Sequence, residues 1–300
     1  MHIFITGATG FIGRNLCRSL LEQSHTLTVL SRRPDNRVRE ICGDVAVIHS
    51  LEELTPAHRF DAIINLAGEP IIGPRWSEAR KRRLWDSRVT LTERLADWIA
   101  RSETKPQALL SGSAVGYYGD QGDRVLDEDT PPVESGFGQR LCAAWEAAAR
   151  KAEDAGVRVC LLRTGPVLGH GGLLARMLPA FKLGLGGRLG DGRQWLAWIH
   201  IDDHVRASEF LLAHPTLSGP FNVTAPHPVT NAEFTATLAR LLKRPAFFHV
   251  PASVLRLLMG EMAEILLGSQ RAVPKRLQEA GFQFRFQTLE PALRAILQTG

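Results

Sequence analysis

The sequence predicts an α/β fold: a doubly wound parallel sheet with a small C-terminal substrate lobe. Three observations predict it. The chain opens on a strand, a glycine turn and a helix; apolar strands then alternate with helices as far as Gly165; beyond that point the alternation loosens into glycine-rich and short apolar segments. Strand–helix alternation places parallel strands in one sheet through right-handed crossovers. The expected boundaries are a nucleotide-binding core over residues 1–165, with 196–225 returning to it, and a lobe made of 166–195 and 226–300.

Composition narrows the class. Three hundred residues with 44% apolar and 22% charged content bury a sizeable core. A net charge of +5 suits a phosphorylated ligand and is too small to argue for nucleic acid. Cys17, Cys42, Cys142 and Cys160 form no CxxC pair, which predicts a reducing, cytoplasmic setting. A strand starting at residue 2 leaves no signal peptide, and no apolar run is long enough to span a membrane, so no membrane partner is expected.

His2–Ile5 reads as a buried strand. Thr6-Gly-Ala-Thr-Gly-Phe-Ile-Gly13 follows, and Arg14–Gln23 reads as a helix. Gly7 permits the tight turn, Gly10 lets the backbone approach a pyrophosphate, and Gly13 lets helix and strand pack closely. The helix start offers unpaired N–H groups to phosphate oxygens. The spacing is GxxGxxG, and Thr9, Phe11 and Ile12 complete the expected cofactor turn. The second strand, His25–Leu30, ends in Ser31-Arg32-Arg33 with no carboxylate before Asp35. An acid there would bind the ribose hydroxyls of NAD, whereas arginine accommodates a 2′-phosphate, so NADP(H) is the expected cofactor.

Val45–Ile48 and Asp61–Leu66 are the next strands, the latter ending in Ala67-Gly68, small enough for a cofactor to cross. A long helix starts at Ser77 as N-cap and runs to about Ala100, and its Arg88 is placed to reach the cofactor. Its Arg80-Lys-Arg-Arg83 run reads as a solvated face. Gln107–Ser111 is the fifth strand and leads into Gly112-Ser-Ala-Val-Gly-Tyr-Tyr-Gly119. Phe137–Ala155 is a helix and Val157–Leu162 the sixth strand. Leu183–Arg193 carries five glycines and reads as a ligand-facing loop. Asp202 or Asp203 is expected to cap a helix to Leu212, Phe221–Thr224 to form a last strand, and Thr230–Leu242 a helix. From Pro245 on, only short segments are expected. His200 and His204 are four apart, but no HExxH pattern surrounds them, and no metal site is expected.

TGATGFIG, NLAG, SGSAVGYYG and WIHIDDH, in that order, resemble the extended, epimerase-type short-chain dehydrogenase/reductases. LGSQRAVPKRLQEAGF resembles the tail of an uncharacterised epimerase-like subgroup. The resemblance implies a Rossmann sheet, NAD(P), a nucleotide-sugar substrate and frequent homodimers. It also implies a Ser after strand five and a Tyr/Lys pair four apart on the next helix, the Tyr exchanging the proton and the Lys tuning it. Ser113 fits the first role. Phe137-Gly-Gln-Arg-Leu141 stands where YxxxK belongs, with Leu141 left beside the cofactor, and Tyr117 and Tyr118 are the only tyrosines in the chain. Leu196 also replaces the arginine that such enzymes set on a substrate diphosphate.

Two readings follow. One is an NADP(H)-dependent oxidoreductase acting on a small molecule through Ser113 with Tyr118 or Tyr117, Tyr118 leading. The other is a non-catalytic NADP(H)-binding redox sensor or regulatory protein. Ser269-Gln-Arg271 with Lys275-Arg276 is the expected polar border of the substrate pocket.

Overall fold

The computed structural model describes residues 1–298. Its centre is a seven-stranded sheet of β1 (His2–Thr6), β2 (Thr26–Leu30), β3 (Ala46–Ile48), β4 (Ala62–Asn65), β5 (Ala108–Ala114), β6 (Arg158–Thr164) and β7 (Gly219–Val223). Every neighbouring pair is parallel, in the order β7-β6-β5-β4-β1-β2-β3. This is the predicted Rossmann sheet. The order reverses between β1 and β4, which opens a crevice beyond their carboxyl ends.

Both faces of the sheet are covered, so its strands are apolar at successive positions. Ile3, Ile5, Ile64, Leu110 and Leu162 face α1 (Phe11–Glu22), α2 (Asp35–Cys42) and α7 (Ile201–Ala213). Phe4, Ile63, Leu109, Val159 and Leu161 face α4 (Leu91–Arg101) and α5 (Gly136–Arg150). The long helix expected after Ser77 is α3 (Glu78–Trp85) joined to α4 by a π-helical turn at Asp86–Thr90. Ser77 caps it as expected, accepting from the Arg80 N–H at 3.2 Å.

Several elements differ from expectation. His200, not an aspartate, caps α7, its ring accepting from the Asp202 N–H at 3.1 Å. Asp203 is fully buried and accepts the Arg285 and Phe286 N–H groups at 2.8 Å each, pinning the tail to the α7 start. A helix, α6 (Gly172–Lys182), was hidden in the sequence by flanking glycines and by Pro179. The predicted Leu183–Arg193 loop contains a strand, Gly187–Leu189, paired in parallel with Phe248–Val250. After α8 (Asn231–Leu242) and α9 (Ala252–Met259) the tail ends in a further helix, Leu289–Gln298. There Leu289, Ala292, Leu293 and Ile296 are buried at helical spacing. Pro291 obscured it, yet proline is tolerated in a first turn. α6, α8 and this last helix form a separate apolar cluster around Trp198, Phe234 and Leu293. Leu277, Phe282 and Phe284 instead join the core on the α1 side of the sheet.

One buried ion pair fixes the strand ends next to the crevice. Arg163, near the end of β6, meets Glu146 of α5 through two bonds, Nε–Oε1 at 2.8 Å and Nη2–Oε2 at 3.0 Å. Their side chains are 3% and 4% exposed. Arg163 Nη1 also donates to the Tyr118 hydroxyl at 3.0 Å and the Glu128 carbonyl at 3.2 Å. Removing one member leaves an uncompensated charge in the interior, so Glu146→Ala should lower stability by about 3–5 kcal/mol in urea unfolding. A loss under about 1 kcal/mol would mean water reaches the pair.

His204 gives a pH test. It is fully buried on α7, its Nε2 lies 3.1 Å from Thr164 Oγ1, and its Nδ1 has no partner among the described residues. Burial pulls its pKa down to about 4 from 6.5. As pH falls below about 6.5 the unfolded chain takes up a proton that the folded chain refuses until about pH 4. Stability is therefore full above that window and falls through it, by about 3 kcal/mol at the limit. Urea midpoints across the window should fall less for His204→Gln than for the wild type.

Candidate functional site

The site is built where β1 and β4 part. Gly7 has φ +72°, and a Cβ there would strike the Leu66 carbonyl oxygen after β4. A Cβ on Gly13 would strike the Gly7 carbonyl oxygen, so α1 presses directly on the turn. Gly10 is the exposed N-cap of α1, with no side-chain cap and no acidic residue in the first turn. The cradle therefore offers N–H groups and the positive end of a helix dipole, the pattern that receives a dinucleotide's pyrophosphate. Thr9 is half-buried at its rim. Ile12 packs on the core, and the Phe11 ring is turned under Gly169–Gly172. Those two residues thus offer the site their backbone.

The β4 end is held from below. Thr6 Oγ1 donates to Asn65 Oδ1 at 2.6 Å and accepts from the Ala67 N–H at 3.2 Å. Asn65 Nδ2 donates to Thr92 Oγ1 at 2.7 Å and Ser111 Oγ at 3.2 Å, and the Trp145 indole donates to the same Thr92 oxygen at 3.0 Å. The floor under Leu66-Ala67-Gly68 is thus a closed polar network. Arg88 projects from the π-helical turn against Gly68, where a Cβ would lie 2.8 Å from its guanidinium carbon. Its Nη2 donates to the Glu69 carbonyl at 2.8 Å, and it lies 5.4 Å from the centre of the Trp145 ring. Burial lowers its pKa.

At the β2 end, Ser31 is buried, its Oγ accepting from the Arg33 N–H at 3.2 Å, and the Arg33 side chain is exposed. The Arg32 side chain is 89% exposed and reaches Glu69 at 3.2 Å. Since β1 lies between β2 and β4, this ion pair spans the carboxyl edge of β1. The other Glu69 oxygen lies 3.4 Å from Arg80 Nη1. Bonds from Arg32 first, and then Arg80, hold the Glu69 carboxyl below its ordinary pKa. Arg80 is buried and its Nε has no partner among the described residues. Sequence reasoning missed Glu69 and read Arg80 as solvated; the position of Glu69 directly after NLAG was the available signal.

The expected catalytic residues divide. Ser113 ends up inside, its Oγ donating to Glu146 at 2.7 Å. Tyr118 was expected to lead as proton donor, and the structure corrects this. It is fully buried, its hydroxyl donates to Asn222 Oδ1 at 2.8 Å and accepts from Arg163, and burial pushes its pKa up to about 12. Tyr117 is half-buried, its ring centre 3.7 Å from the Arg163 guanidinium carbon. Phe137 and Leu141 sit in an apolar cluster with Leu84 and Trp145, and Leu141 is only 2% exposed. Leu141 was expected beside a cofactor; its side chain is spent on packing.

The tail residues divide as well. Ser269 Oγ donates to the Gly122 carbonyl at 2.7 Å, and Arg271 lies 4.2 Å from the centre of the Trp195 ring, so both border the loop after Tyr118. Lys275 is paired with Asp127 at 3.1 Å, and Arg276 donates to the Pro220 carbonyl at 3.1 Å. Pro220 is the second residue of β7, at the amino end of an edge strand and away from the crevice, so Arg276 does not border the site. No group of three or more potential metal-ligating side chains occurs among the described residues, and no described helix is long and apolar enough to cross a membrane.

The chain matches the NAD dependent epimerase/dehydratase family over residues 3–224 and a domain of unknown function, DUF1731, over 250–296. It is 44% identical over 298 residues to the epimerase family protein MT2273 of Mycobacterium tuberculosis, covering 97% of this chain and 96% of that one. The crystal structure of human epimerase family protein SDR39U1 (isoform 2) with NADPH superposes with a TM-score of 0.92 at 35% identity, covering all of both chains. A nucleoside-diphosphate sugar epimerase from Corynebacterium glutamicum superposes at 0.76 with 31% identity, over 99% of this chain and 58% of that one. The protein belongs to the NAD dependent epimerase/dehydratase family and carries that family's cofactor crevice without its Tyr/Lys pair.

Proposed function

We propose that this protein binds NADP(H) and reduces a carbonyl group on a small molecule. The observation that carries the cofactor half is the glycine cradle with Arg32 at the end of β2 and no acid at that strand end. The NADPH in the human relative's crystal structure supports it. Gly7, Thr9, Gly10 and Gly13, with the backbone of Phe11 and Ile12, would hold the pyrophosphate. Ser31, Arg32 and Arg33 would hold the 2′-phosphate, and Leu66-Ala67-Gly68, backed by Arg88, would floor the crevice. When bound, NADPH supplies a hydride to the carbonyl carbon. This chain must then give the oxygen a proton, and Tyr117 is the phenol not already tied into the interior. The Arg163 guanidinium, 3.7 Å from the centre of its ring, holds that ring in place. Residues 166–195 and 226–298, apart from the stretch 277–284 that joins the sheet core, would serve as the substrate lobe.

A second reading, an NADP(H)-binding sensor without turnover, draws on one observation: Ser113 and Tyr118 both spend their hydroxyls on the buried Glu146–Arg163 network.

One experiment tests the cofactor that both readings share, and a second separates them. In NADPH and NADH titrations, Arg32→Ala should lose about 1 kcal/mol of NADPH affinity, the upper range for a solvent-exposed pair, and leave NADH unchanged. Glu69→Gln, which removes the competing carboxylate, should tighten NADPH alone. Equal wild-type affinity for both cofactors would refute the NADP(H) assignment. In a carbonyl screen, Tyr117→Phe should slow NADPH oxidation by about 10²-fold or more while Tyr118→Phe changes stability instead. If no carbonyl speeds NADPH oxidation in the wild type, the sensor reading replaces the reductase.

A further inference from the structure

Seven of the eleven large apolar side chains exposed among the described residues lie in two segments, 183–185 and 247–258. Leu183, Leu185, Phe247, Phe248, Leu257 and Leu258 lead the set, Phe247 at 90% and Leu257 at 74% exposure. The segments are neighbours. Phe248 pairs with Gly187 across the small parallel ladder, and a Cβ on Gly184 would lie 3.4 Å from the Pro245 ring. α9 follows that strand at once. Its Val254, Leu257 and Leu258, at i, i+3 and i+4, share one outward face, while Leu255 points in. A lone exposed leucine means nothing, but a contiguous apolar face of this kind marks an interaction site.

Charge decides what covers it. Lys182, Arg188, Arg193, Lys243 and Arg244 are exposed in or directly beside the same segments. Asp191 is the only carboxylate within residues 182–193 and 243–258. Those ranges hold a sixth exposed cation, Arg256, which pairs with Glu264 just beyond them; the other five against one acid are a strong local excess in a chain whose whole net charge is +5. A two-fold contact with a second copy would set this cationic rim against itself. Aliphatic and phenyl groups flanked by lysine and arginine are instead the makeup of surfaces that lie in a lipid headgroup layer.

We propose that this face docks on an anionic lipid bilayer. Leu183, Leu185, Phe247, Leu257 and Leu258 enter the boundary of headgroups and acyl chains, and the five cations meet lipid phosphates. The expectation of no membrane partner rested on the lack of a spanning run. A docking face needs none.

The test is co-sedimentation of the full chain with vesicles of equimolar phosphatidylglycerol and phosphatidylcholine, and with phosphatidylcholine alone. Binding is expected to the anionic vesicles and to weaken as salt rises. Phe247→Ser with Leu257→Ser, and separately Lys243→Glu with Arg244→Glu, should each weaken it by about tenfold or more. All four positions are exposed, so an unchanged thermal midpoint and circular dichroism spectrum certify the fold. Failure to pellet with anionic vesicles overturns the proposal, as does equal binding to the neutral ones or full binding by both variants. A concentration-dependent dimer that the Leu257→Ser change abolishes, with no vesicle binding, would assign the face to a second copy.

Discussion

The Glu146–Arg163 ion pair is the constraint on which the strand ends beside the crevice depend. Two charges this deep persist only when each is met by an opposite charge and by further hydrogen bonds. Arg163 meets that demand with both Glu146 oxygens, the Tyr118 hydroxyl and the Glu128 carbonyl; Glu146 also takes the Ser113 hydroxyl. The pair joins α5 to β6 and draws in the end of β5 and the turn after it. It also uses up two of the three hydroxyls that sequence reasoning assigned to catalysis, those of Ser113 and Tyr118. Of the three, the Tyr117 phenol alone stays outside the pair's hydrogen bonds, its ring lying against Arg163.

A second constraint is backbone proximity at the crevice. Gly7 lies against Leu66, and Gly13 against Gly7, so the carboxyl ends of β1 and β4 and the start of α1 are one tightly packed unit. Such packing leaves little room for side chains, and charge is supplied from outside it. Arg32 comes from β2, Glu69 from beyond β4 and Arg80 from α3. Glu69 takes the place of an anion between the two arginines. A phosphate competing for Arg32 would meet an exposed guanidinium whose present partner is also partly solvated, a contact of modest strength.

The sheet was legible because its strands are buried on both faces and read as unbroken apolar runs. The glycine cradle was legible because close approach requires glycine at fixed spacing. What was illegible depended on contacts remote in sequence. Asp203 looked like a helix cap, but its carboxylate serves backbone N–H groups some eighty residues on. α6 and the Leu289–Gln298 helix contain a proline each, and local propensity argued against them although apolar burial formed them. Tyr117 and Tyr118 are adjacent in sequence, and nothing local tells which ring turns inward. The partner that decides it, Asn222, belongs to the last strand of the sheet.

The missing Tyr/Lys pair is better described as a replacement than as a loss. Were Phe137 and Leu141 the remnants of a decayed site, the space around them would be open or polar. Instead Trp76 meets the Phe137 ring edge-on at 5.2 Å, and the Lys81 ammonium lies 5.6 Å from that ring's centre. Leu141 is packed among Leu84, Val89 and Trp145. The Trp145 indole, in turn, bonds Thr92 in the network under β4. A lysine at 141 would set an ammonium in this apolar cluster, whose Trp145 ring already has the Arg88 guanidinium carbon 5.4 Å from its centre. The cost of burying that second cation, with no carboxylate in the cluster, exceeds anything its hydrogen bonds return. The apolar pair and the cationic Arg88 are therefore mutually consistent parts of one packing solution on α5, the helix whose Glu146 also holds Arg163 against the Tyr117 ring.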